Sequence, residues 1–142
     1  MTQTLNNIMA KNIITIEATQ SVKEAAALMQ QHNIGSIPVI QNGQLAGIIT
    51  DRDITIRTTS QGLDANTPVS SCMSSNIVAG NSSMSVHEAA QLMAQNQIRR
   101  LPVVENNQIV GMVALGDLAT IQEYQNEAGQ ALTNISVHDN LR

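Results

Sequence analysis

The feature that most constrains the fold of this chain is an internal repeat. When the sequence is shifted by 64 residues, it matches itself without a gap. Between residues 9–54 and 73–118, 18 of 46 positions are identical, and several others exchange one apolar residue for another. Two copies are too few for a solenoid, which needs about three or more units to bury its stacking faces. We therefore predict two similar units that pack face to face about a pseudo-twofold axis.

Both copies follow the same order of predicted elements. Apolar residues over 12–16, with 76–79 as the second-copy counterpart, predict a short strand. Ser21 precedes Glu24 by the spacing of a capping box, and the apolar stripe that follows predicts a helix ending near Asn33. The same pattern recurs 64 residues later, from Ser85 onward.

A hairpin is predicted after each of these helices. Two apolar runs are joined by Asn42-Gly43 in the first copy and by Asn106-Asn107 in the second. Asn-Gly between apolar runs is a strong hairpin signal, because both residues accept a positive φ. Pro38 and Pro102 lie in the first arm of each hairpin, which predicts an edge or irregular strand, since proline has no N–H to donate.

A second helix is predicted after each hairpin, from about Asp51 and from about Gly116. Each unit is therefore β-α-β-β-α, and the fold class is α+β. We predict a first unit over 1–64, a second over 65–122, and a C-terminal helix and tail over 123–142.

The C-terminal segment has no counterpart in the first copy. Its apolar residues recur at steps of three and four, which predicts an amphipathic helix with one face to cover. They are Leu118, Ile121, Tyr124, Ala128, Ala131, Leu132 and Ile135. That face has two alternative partners, the domain to which it is attached or a second subunit.

Composition excludes several classes of function. The formal net charge is −4, and the chain has no Trp, no Phe and one Tyr, so it has neither the basic surface nor the stacking rings of a nucleic-acid binder. No window approaches about 18 consecutive apolar residues, so no membrane span or signal peptide is expected. The single cysteine, Cys72, aligns with Ile8 and is predicted to be a small buried hydrophobe. A reducing compartment, the cytoplasm, is the expected location.

The repeat and its motifs resemble a known family. The duplicated unit, the aliphatic-Pro-Val strand and the run Gly47-Ile48-Ile49-Thr50-Asp51-Arg52-Asp53 resemble a tandem pair of CBS domains, named after cystathionine β-synthase. The resemblance covers about residues 5–121. It implies a module that often forms homodimers and that holds AMP, ADP, ATP or S-adenosylmethionine in clefts between paired units. Such ligands would be regulatory, with no obligatory cofactor, and occupancy would be reported to an effector protein.

The resemblance also implies roles for two residues of the first copy. In the family motif, a hydroxyl and a carboxylate contact the ribose and a nearby phosphate, and Thr50 and Asp53 match them. Asp53 has the chemistry to accept both ribose hydroxyls, and Thr50 is expected at a strand-to-helix junction. The structural alternative is a capping box, because Thr50-x-x-Asp53 also has that spacing. We predict a ligand role that shares these residues with the cap.

The second copy departs from the motif. It keeps the glycine and Asp117, but Ala114 replaces the hydroxyl residue, so its site is weaker, differently selective or empty. In the absence of aromatic residues, aliphatic walls are predicted for the adenine of a ligand. The candidates are Ile16, Ile37 and Pro38 in the first copy and Val78, Leu101 and Pro102 in the second.

Arginine is concentrated near these motifs. Arg52, Arg57, Arg99 and Arg100 are four of the seven Lys and Arg residues. Because arginine forks suit phosphate oxygens, Arg100 and, more weakly, Arg52 are predicted to bind phosphate. The alternative is that these side chains face solvent.

No combination of residues predicts catalysis. His32, His87 and His138 occupy non-equivalent places in the repeat and have no metal-ligand spacing. We therefore predict no enzyme activity and no metal site. The alternative to a nucleotide sensor is a ligand-free scaffold for dimerisation or protein interaction.

Overall fold

A computed structural model describes residues 3–119 and 129–135. The chain folds into two compact units. The first-copy unit is Ile14–Ile77, and the second-copy unit combines Met1–Ile13 with Val78–Arg142. Within the residues described, no helix has the length and apolar character that crossing a membrane requires.

The order of elements is β-α-β-β-α in the first copy, with a short helix before it, and α-β-β-α in the second, where a single bridge replaces the first strand. The helices are α1 (Leu5–Ile8), α2 (Val22–His32), α3 (Asp51–Arg57), α4 (Val86–Asn96) and α5 (Leu115–Ala119). The strands are β1 (Ile16–Glu17), β2 (Ser36–Gln41), β3 (Gln44–Thr50), β4 (Arg100–Glu105) and β5 (Gln108–Ala114). Two short 3₁₀ turns lie at Thr59–Gln61 and Val69–Ser71, and residues 129–135 are helical.

The first strand of each copy is shorter than the sequence predicts. β1 pairs in parallel with β2 only at Ile16 and Glu17, so the predicted strand over 12–16 is wrong except at its last residue. In the second copy, 76–79 form no strand, and the parallel pairing is a single bridge from Gly80 to Val103. Apolar character marks these segments as part of the core, but pairing begins only where the backbone reaches the neighbouring strand.

Of the two alternatives predicted at Pro38, the edge strand is not observed, because β2 is the middle strand of the sheet β1-β2-β3. Pro38 lies opposite Ile48, whose N–H and C=O bond to Ser74 on the far side of β3. The proline is therefore at a non-hydrogen-bonded position of this pair. On its other side, β1 pairs only from Val39 onward, so no partner requires the missing N–H. The irregularity itself is confirmed, since the register shifts between Val39 and Ile40.

The long helix of each copy begins and ends as predicted. Ser21 Oγ accepts a hydrogen bond from Glu24 N at 3.1 Å, and Ser85 serves α4 in the same way. Asn33 ends α2 with a φ of 54°, and Gln97 ends α4 with a φ of 57°, both left-handed. The buried face of α2 is Val22, Ala25 and Met29, whereas Ala26 of the predicted stripe is exposed.

Both predicted hairpins are confirmed. Asn42 and Gly43 have φ values of 54° and 76°, and Asn106 and Asn107 have 52° and 65°. Positive φ at both central residues is the mark of a type I′ turn, whose twist matches that of the two strands. This geometry holds β3 and β5 in register with the proline strands.

Each compact unit is completed by a segment from the other sequence copy. We call residues 3–13 the N-terminal arm and residues 65–77 the connecting arm. The N-terminal arm packs on the second copy through Leu5 N to Met84 O and a paired bridge between Ala10 and Met112. The connecting arm packs on the first copy through the equivalent bonds, Val69 N to Gln20 O and the bridge from Ser74 to Ile48. The packing units therefore do not coincide with the predicted sequence units 1–64 and 65–122.

Each unit has its own aliphatic core. In the first-copy unit, Val69 and Cys72 of the connecting arm are fully buried with residues of α2, β2 and β3, which confirms the prediction for Cys72. In the second-copy unit, Leu5 is buried among residues of α4, β4 and β5. Ala131 and Ile135 join that core, so this part of the C-terminal helix packs on its own domain, while Leu132 is exposed. The predicted positions 121, 124 and 128 lie outside the described residues.

Candidate functional site

The candidate site of the first copy lies where β3 ends and α3 begins. Thr50 Oγ1 accepts a hydrogen bond from Asp53 N at 3.0 Å, and Asp53 Oδ2 accepts one from Thr50 N at 3.0 Å. This reciprocal pair is a complete capping box, so the structural role considered for the two residues is confirmed. The hydroxyl and carboxylate that the motif assigns to ribose and phosphate are thus held in one turn.

The carboxylate of Asp53 keeps acceptor capacity beyond the cap. Its side chain is 14% exposed, and its Oδ1 faces Arg57 Nε at 3.8 Å. A carboxylate offers about four lone-pair positions, and the cap uses one of them, on Oδ2. An ion pair of this length with a half-exposed arginine is weak. Oδ1 therefore remains able to accept hydrogen bonds from a ligand.

Arg57 ties the site to the connecting arm, which the sequence did not predict. Its Nη1 donates to the carbonyl oxygens of Cys72 and Met73, each at 3.2 Å. The spacing from Asp53 to Arg57 is i,i+4, so the ion pair was open to prediction. The contact with the arm was not, because it depends on which copy the arm packs against.

The motif glycine is explained by packing. A Cβ built on Gly47 would lie 2.6 Å from Met73 Sδ and 2.8 Å from Ser74 O, distances that real Cβ atoms do not adopt. The second copy repeats the arrangement, with Met9 of the N-terminal arm against Gly111. Each glycine therefore makes room for the arm that completes its unit.

The carboxylate of Asp51 lies at the edge of the first-copy site. Asp51 N donates to Gly35 O at 3.0 Å, and a Cβ on Gly35 would lie 3.2 Å from Asp51 Oδ2. Arg52 follows on α3 and is exposed. In the second copy, Leu115 N donates to Arg99 O at 2.8 Å, so Leu115 and Arg99 replace Asp51 and Gly35.

The second copy presents different chemistry at the equivalent turn. Ala114, which lacks the hydroxyl, pairs across the hairpin with Arg100, as Thr50 pairs with Ser36. Arg100 is exposed, and Asp117 is exposed in the first turn of α5. The turn therefore combines a guanidinium and a carboxylate in place of a hydroxyl and a carboxylate.

The apolar candidates for an adenine wall lie in the two cores. Ile16, Ile37 and Leu101 have 2% exposure or less, and Pro38 and Pro102 are also buried. Val78 is half-buried against the second-copy core, but it is not the counterpart of Ile16. That counterpart is Gly80, which bridges to Val103 as Ile16 pairs with Val39.

Two further features lie outside the predicted site. Burial raises the pKa of the Cys72 thiol. Two smaller effects act on the same pKa, because the charge of Arg57 lowers it and the charge of Asp53 raises it. A hollow of about 440 Å³ between α4 and the helical segment 129–135 is lined by Ala90, Ala94 and Ala131 together with polar side chains. Among the described residues, no three His, Cys, Asp or Glu side chains come together as a metal site would require.

Comparison with known proteins gives the family. The CBS domain family matches residues 5–57 and 69–123. The chain is 54% identical over 137 residues to the CBS domain-containing protein YhcV of Bacillus subtilis strain 168, covering 96% of this chain and 97% of that protein.

Two crystal structures have folds similar to that of this chain. The CBS domain pair of protein MJ0100, in complex with 5′-methylthioadenosine and S-adenosyl-L-methionine, has a TM-score of 0.76 at 27% identity and covers 88% of this chain and 99% of that one. Hypoxic Response Protein I, with two coordinated zinc ions, has a TM-score of 0.77 at 30% identity over 84% of this chain and 98% of that one. This chain, with two family matches and the fold of a CBS pair, belongs to the CBS domain family.

Proposed function

We propose that this chain is a regulatory module that binds an adenosine-containing nucleotide at the turn formed by Thr50 and Asp53. One neighbour in fold, the CBS pair of MJ0100, is in complex with two adenosine compounds. We propose further that the module is located in the cytoplasm, signals to an effector protein and has no catalytic activity. The ligand is AMP, ADP, ATP, S-adenosylmethionine or a related adenosine compound.

The proposal depends on one observation, which is that the Asp53 carboxylate is oriented by the helix cap while its Oδ1 can still accept hydrogen bonds. The cap fixes its orientation through Oδ2, while Oδ1 faces a half-exposed arginine at 3.8 Å. Two adjacent ribose hydroxyls are donors that a fixed carboxylate accepts well, because bonds to a charged acceptor are about twice as strong as neutral ones. The capping box therefore pre-orients the acceptor at no further entropic cost on binding.

The second copy is proposed to bind a more anionic ligand or to bind more weakly. Arg100 lies directly across the hairpin from Ala114, where the first copy has a threonine. Opposite side chains of such a pair are about 5 Å apart at Cβ, within reach of one another. A guanidinium at this position favours a phosphate, and Asp117 retains the carboxylate for ribose.

A ligand-free scaffold is the second candidate. It is favoured by the burial of Ile16, Ile37 and Leu101, which present almost no surface to an adenine ring. In this alternative, Thr50 and Asp53 serve only as a helix cap, and the chain acts by forming a homodimer or by docking on another protein.

Thermal unfolding with nucleotides distinguishes the two functions. A ligand present at about 100 times its dissociation constant stabilises the folded state by about 2.7 kcal/mol. We expect Tm to rise by several degrees with at least one of AMP, ADP, ATP, NAD, S-adenosylmethionine and 5′-methylthioadenosine. Asp53→Ala should abolish that rise.

Ser21→Ala is the matched control. It removes the cap of α2 in the same unit and costs about 1 kcal/mol, much as loss of the Asp53 cap does. The rise with nucleotide should persist in Ser21→Ala. No rise with any nucleotide would favour the scaffold, and a rise lost only in Asp117→Ala would assign the ligand to the second copy.

A further inference from the structure

We propose that Arg57 couples ligand binding at Asp53 to the connecting arm, residues 65–77. The inference rests on the proposed function, because the coupling begins with a ligand on the Asp53 carboxylate. It goes beyond that function by naming the residue that carries the signal and the segment that receives it.

The geometry gives Arg57 two partners at once. Its Nε lies 3.8 Å from Asp53 Oδ1, and its Nη1 donates to the carbonyl oxygens of Cys72 and Met73 at 3.2 Å each. Nη1 carries two hydrogens, and each of them has one carbonyl acceptor. One guanidinium therefore joins the ligand-binding carboxylate to the arm.

The carbonyls that Arg57 holds lie at the centre of the arm's contact with the unit. On one side, Cys72 is fully buried in the core. On the other, Met73 lies against Gly47, and Ser74 exchanges two hydrogen bonds of 2.9 Å with Ile48. The arm then continues to Ile77, where the first-copy unit ends. A change at Arg57 thus acts on the last segment of this unit before the chain enters the other.

The link to Asp53 is weak enough for a ligand to break. The ion pair exceeds hydrogen-bond length, and the Arg57 side chain is 47% exposed, so water screens it. Ribose hydroxyls that donate to Oδ1 occupy the side of the carboxylate that faces the arginine. The guanidinium then turns toward solvent and releases the two carbonyl oxygens.

The repeat does not conserve this arginine. The residue equivalent to Arg57 is Ile121, whose side chain has no hydrogen-bond donor. At this position of the repeat, the first copy therefore has a guanidinium for its arm and the second copy does not.

Amide hydrogen exchange of the connecting arm tests this inference. The reporter is the Ser74 amide, which donates to Ile48 O, measured relative to amides of α2 in the same unit. In the ligand-free protein, Arg57→Gln should speed exchange at Ser74 by about tenfold, because two bonds to a charged donor are lost. Lys23→Gln is the matched control, since Lys23 is an exposed cation of the same unit with no predicted part in ligand binding, and it should leave the rate unchanged. If Arg57→Gln does not fold, Arg57→Lys replaces it, because an ammonium lacks the fork that joins the two partners.

The second part of the experiment adds AMP or 5′-methylthioadenosine as the probe, and calorimetry measures the binding of each probe separately. A bound probe should speed exchange at Ser74 by about tenfold in the unmodified protein and in Lys23→Gln, but not further in Arg57→Gln. Binding with no faster exchange, or with an equal change in Arg57→Gln, overturns the coupling and leaves the proposed function intact. Failure of both probes to bind counts against the proposed function, and an Arg57→Gln rate equal to that of the unmodified protein then overturns the role of Arg57 independently.

Discussion

At Gly47 and Gly111, the missing side chain is what lets an arm of the chain approach the hairpin. Met73 occupies the space beside Gly47, and Met9 occupies the space beside Gly111. The neighbours differ, however. Gly47 also faces a backbone atom, Ser74 O, whereas the nearest atoms to Gly111 all belong to Met9. A backbone oxygen cannot move aside as a flexible methionine can.

We predict that Gly111→Ala lowers the free energy of unfolding by about 1–3 kcal/mol, because the new methyl group overpacks the contact with Met9. Met9→Ala should relieve most of that loss, giving a favourable coupling of about 0.5–3 kcal/mol in a double-mutant cycle. The equivalent cycle with Gly47→Ala and Met73→Ala should show smaller relief, since Ser74 O remains in place. Urea unfolding of the four single and two double variants measures both cycles, and equal coupling in the two would contradict the explanation.

Glu105 is a carboxylate whose pKa the fold lowers. Its Oε1 accepts a hydrogen bond from Ser82 N at 2.9 Å and a second from the Ser82 hydroxyl. These two bonds hold the pKa of Glu105 below its ordinary value, with the hydroxyl as the larger cause. A lowered folded-state pKa means that the stabilisation is present above the unfolded pKa, near 4.3, and is lost as pH falls through the folded value.

We therefore expect Ser82→Ala to destabilise the protein at pH 7 and to lose that effect in acid. The difference in Tm from the unmodified protein should shrink as pH falls from about 5 to below 4, where Glu105 becomes protonated in both. Ser83→Ala is the control, because its hydroxyl bonds to Asn81 instead of a carboxylate. A Tm difference independent of pH would show that Ser82 acts through packing.

At the scale of elements, the two long helices differ at their ends. Asn33 and Gln97 both adopt left-handed backbone geometry after α2 and α4. Asparagine tolerates this region because its short polar side chain bonds locally, whereas glutamine has the ordinary penalty of an L-residue. The second copy therefore retains backbone strain that the first copy largely avoids.

Gln97→Gly should stabilise the protein by about 0.5–1 kcal/mol, because glycine has no Cβ to strain the left-handed cap. Asn33→Gly provides the internal comparison and should gain less. Chemical denaturation of both variants measures the difference. A gain at Asn33 that equals or exceeds the gain at Gln97 would contradict this account.

Elements fixed by local chemistry were predictable from the sequence. The serine caps, the ends of the two long helices and the turns at Asn42-Gly43 and Asn106-Asn107 depend on residues within one turn of one another. The strand over 12–16 was wrong except at Ile16, and β2 proved irregular but not an edge strand, because the extent of strand pairing is decided by distant backbone.

The candidate site, like the fold, was predictable only where it depends on neighbouring residues. The Thr50 and Asp53 cap follows from spacing, and its formation is confirmed. The contact of Arg57 with the arm could not be predicted, since a repeat reveals which residues are alike and not which copy each segment packs against. The ligand role of Thr50 and Asp53 stays a prediction.

At the scale of the whole molecule, the exchange of arms makes each unit depend on both sequence copies. Leu5 is buried in the second-copy core and Val69 in the first-copy core, at equivalent positions of the repeat. Their backbone bonds, Leu5 N to Met84 O and Val69 N to Gln20 O, are equivalent as well. A change in one arm should therefore be felt in the copy that is remote in sequence.

We predict that Leu5→Ala costs about 2–5 kcal/mol and that its effect is concentrated in the second-copy unit. Amide exchange should become faster in α4 and remain nearly unchanged in α2. Val69→Ala should have the converse effect, with faster exchange in α2. Hydrogen exchange resolved by segment measures both, and faster exchange in α2 on Leu5→Ala would contradict the exchanged packing.

The exchanged arms also determine what would happen if the polypeptide were divided into its two halves. Cleavage after residue 64 gives an N-terminal fragment that contains the N-terminal arm, which packs on the second copy. That fragment lacks the connecting arm, which completes its own core. The downstream fragment is left in the same condition. Neither fragment can bury its aliphatic residues alone, so the two should associate as a noncovalent pair. In the intact chain, the covalent connection mainly keeps each core close to the arm that completes it.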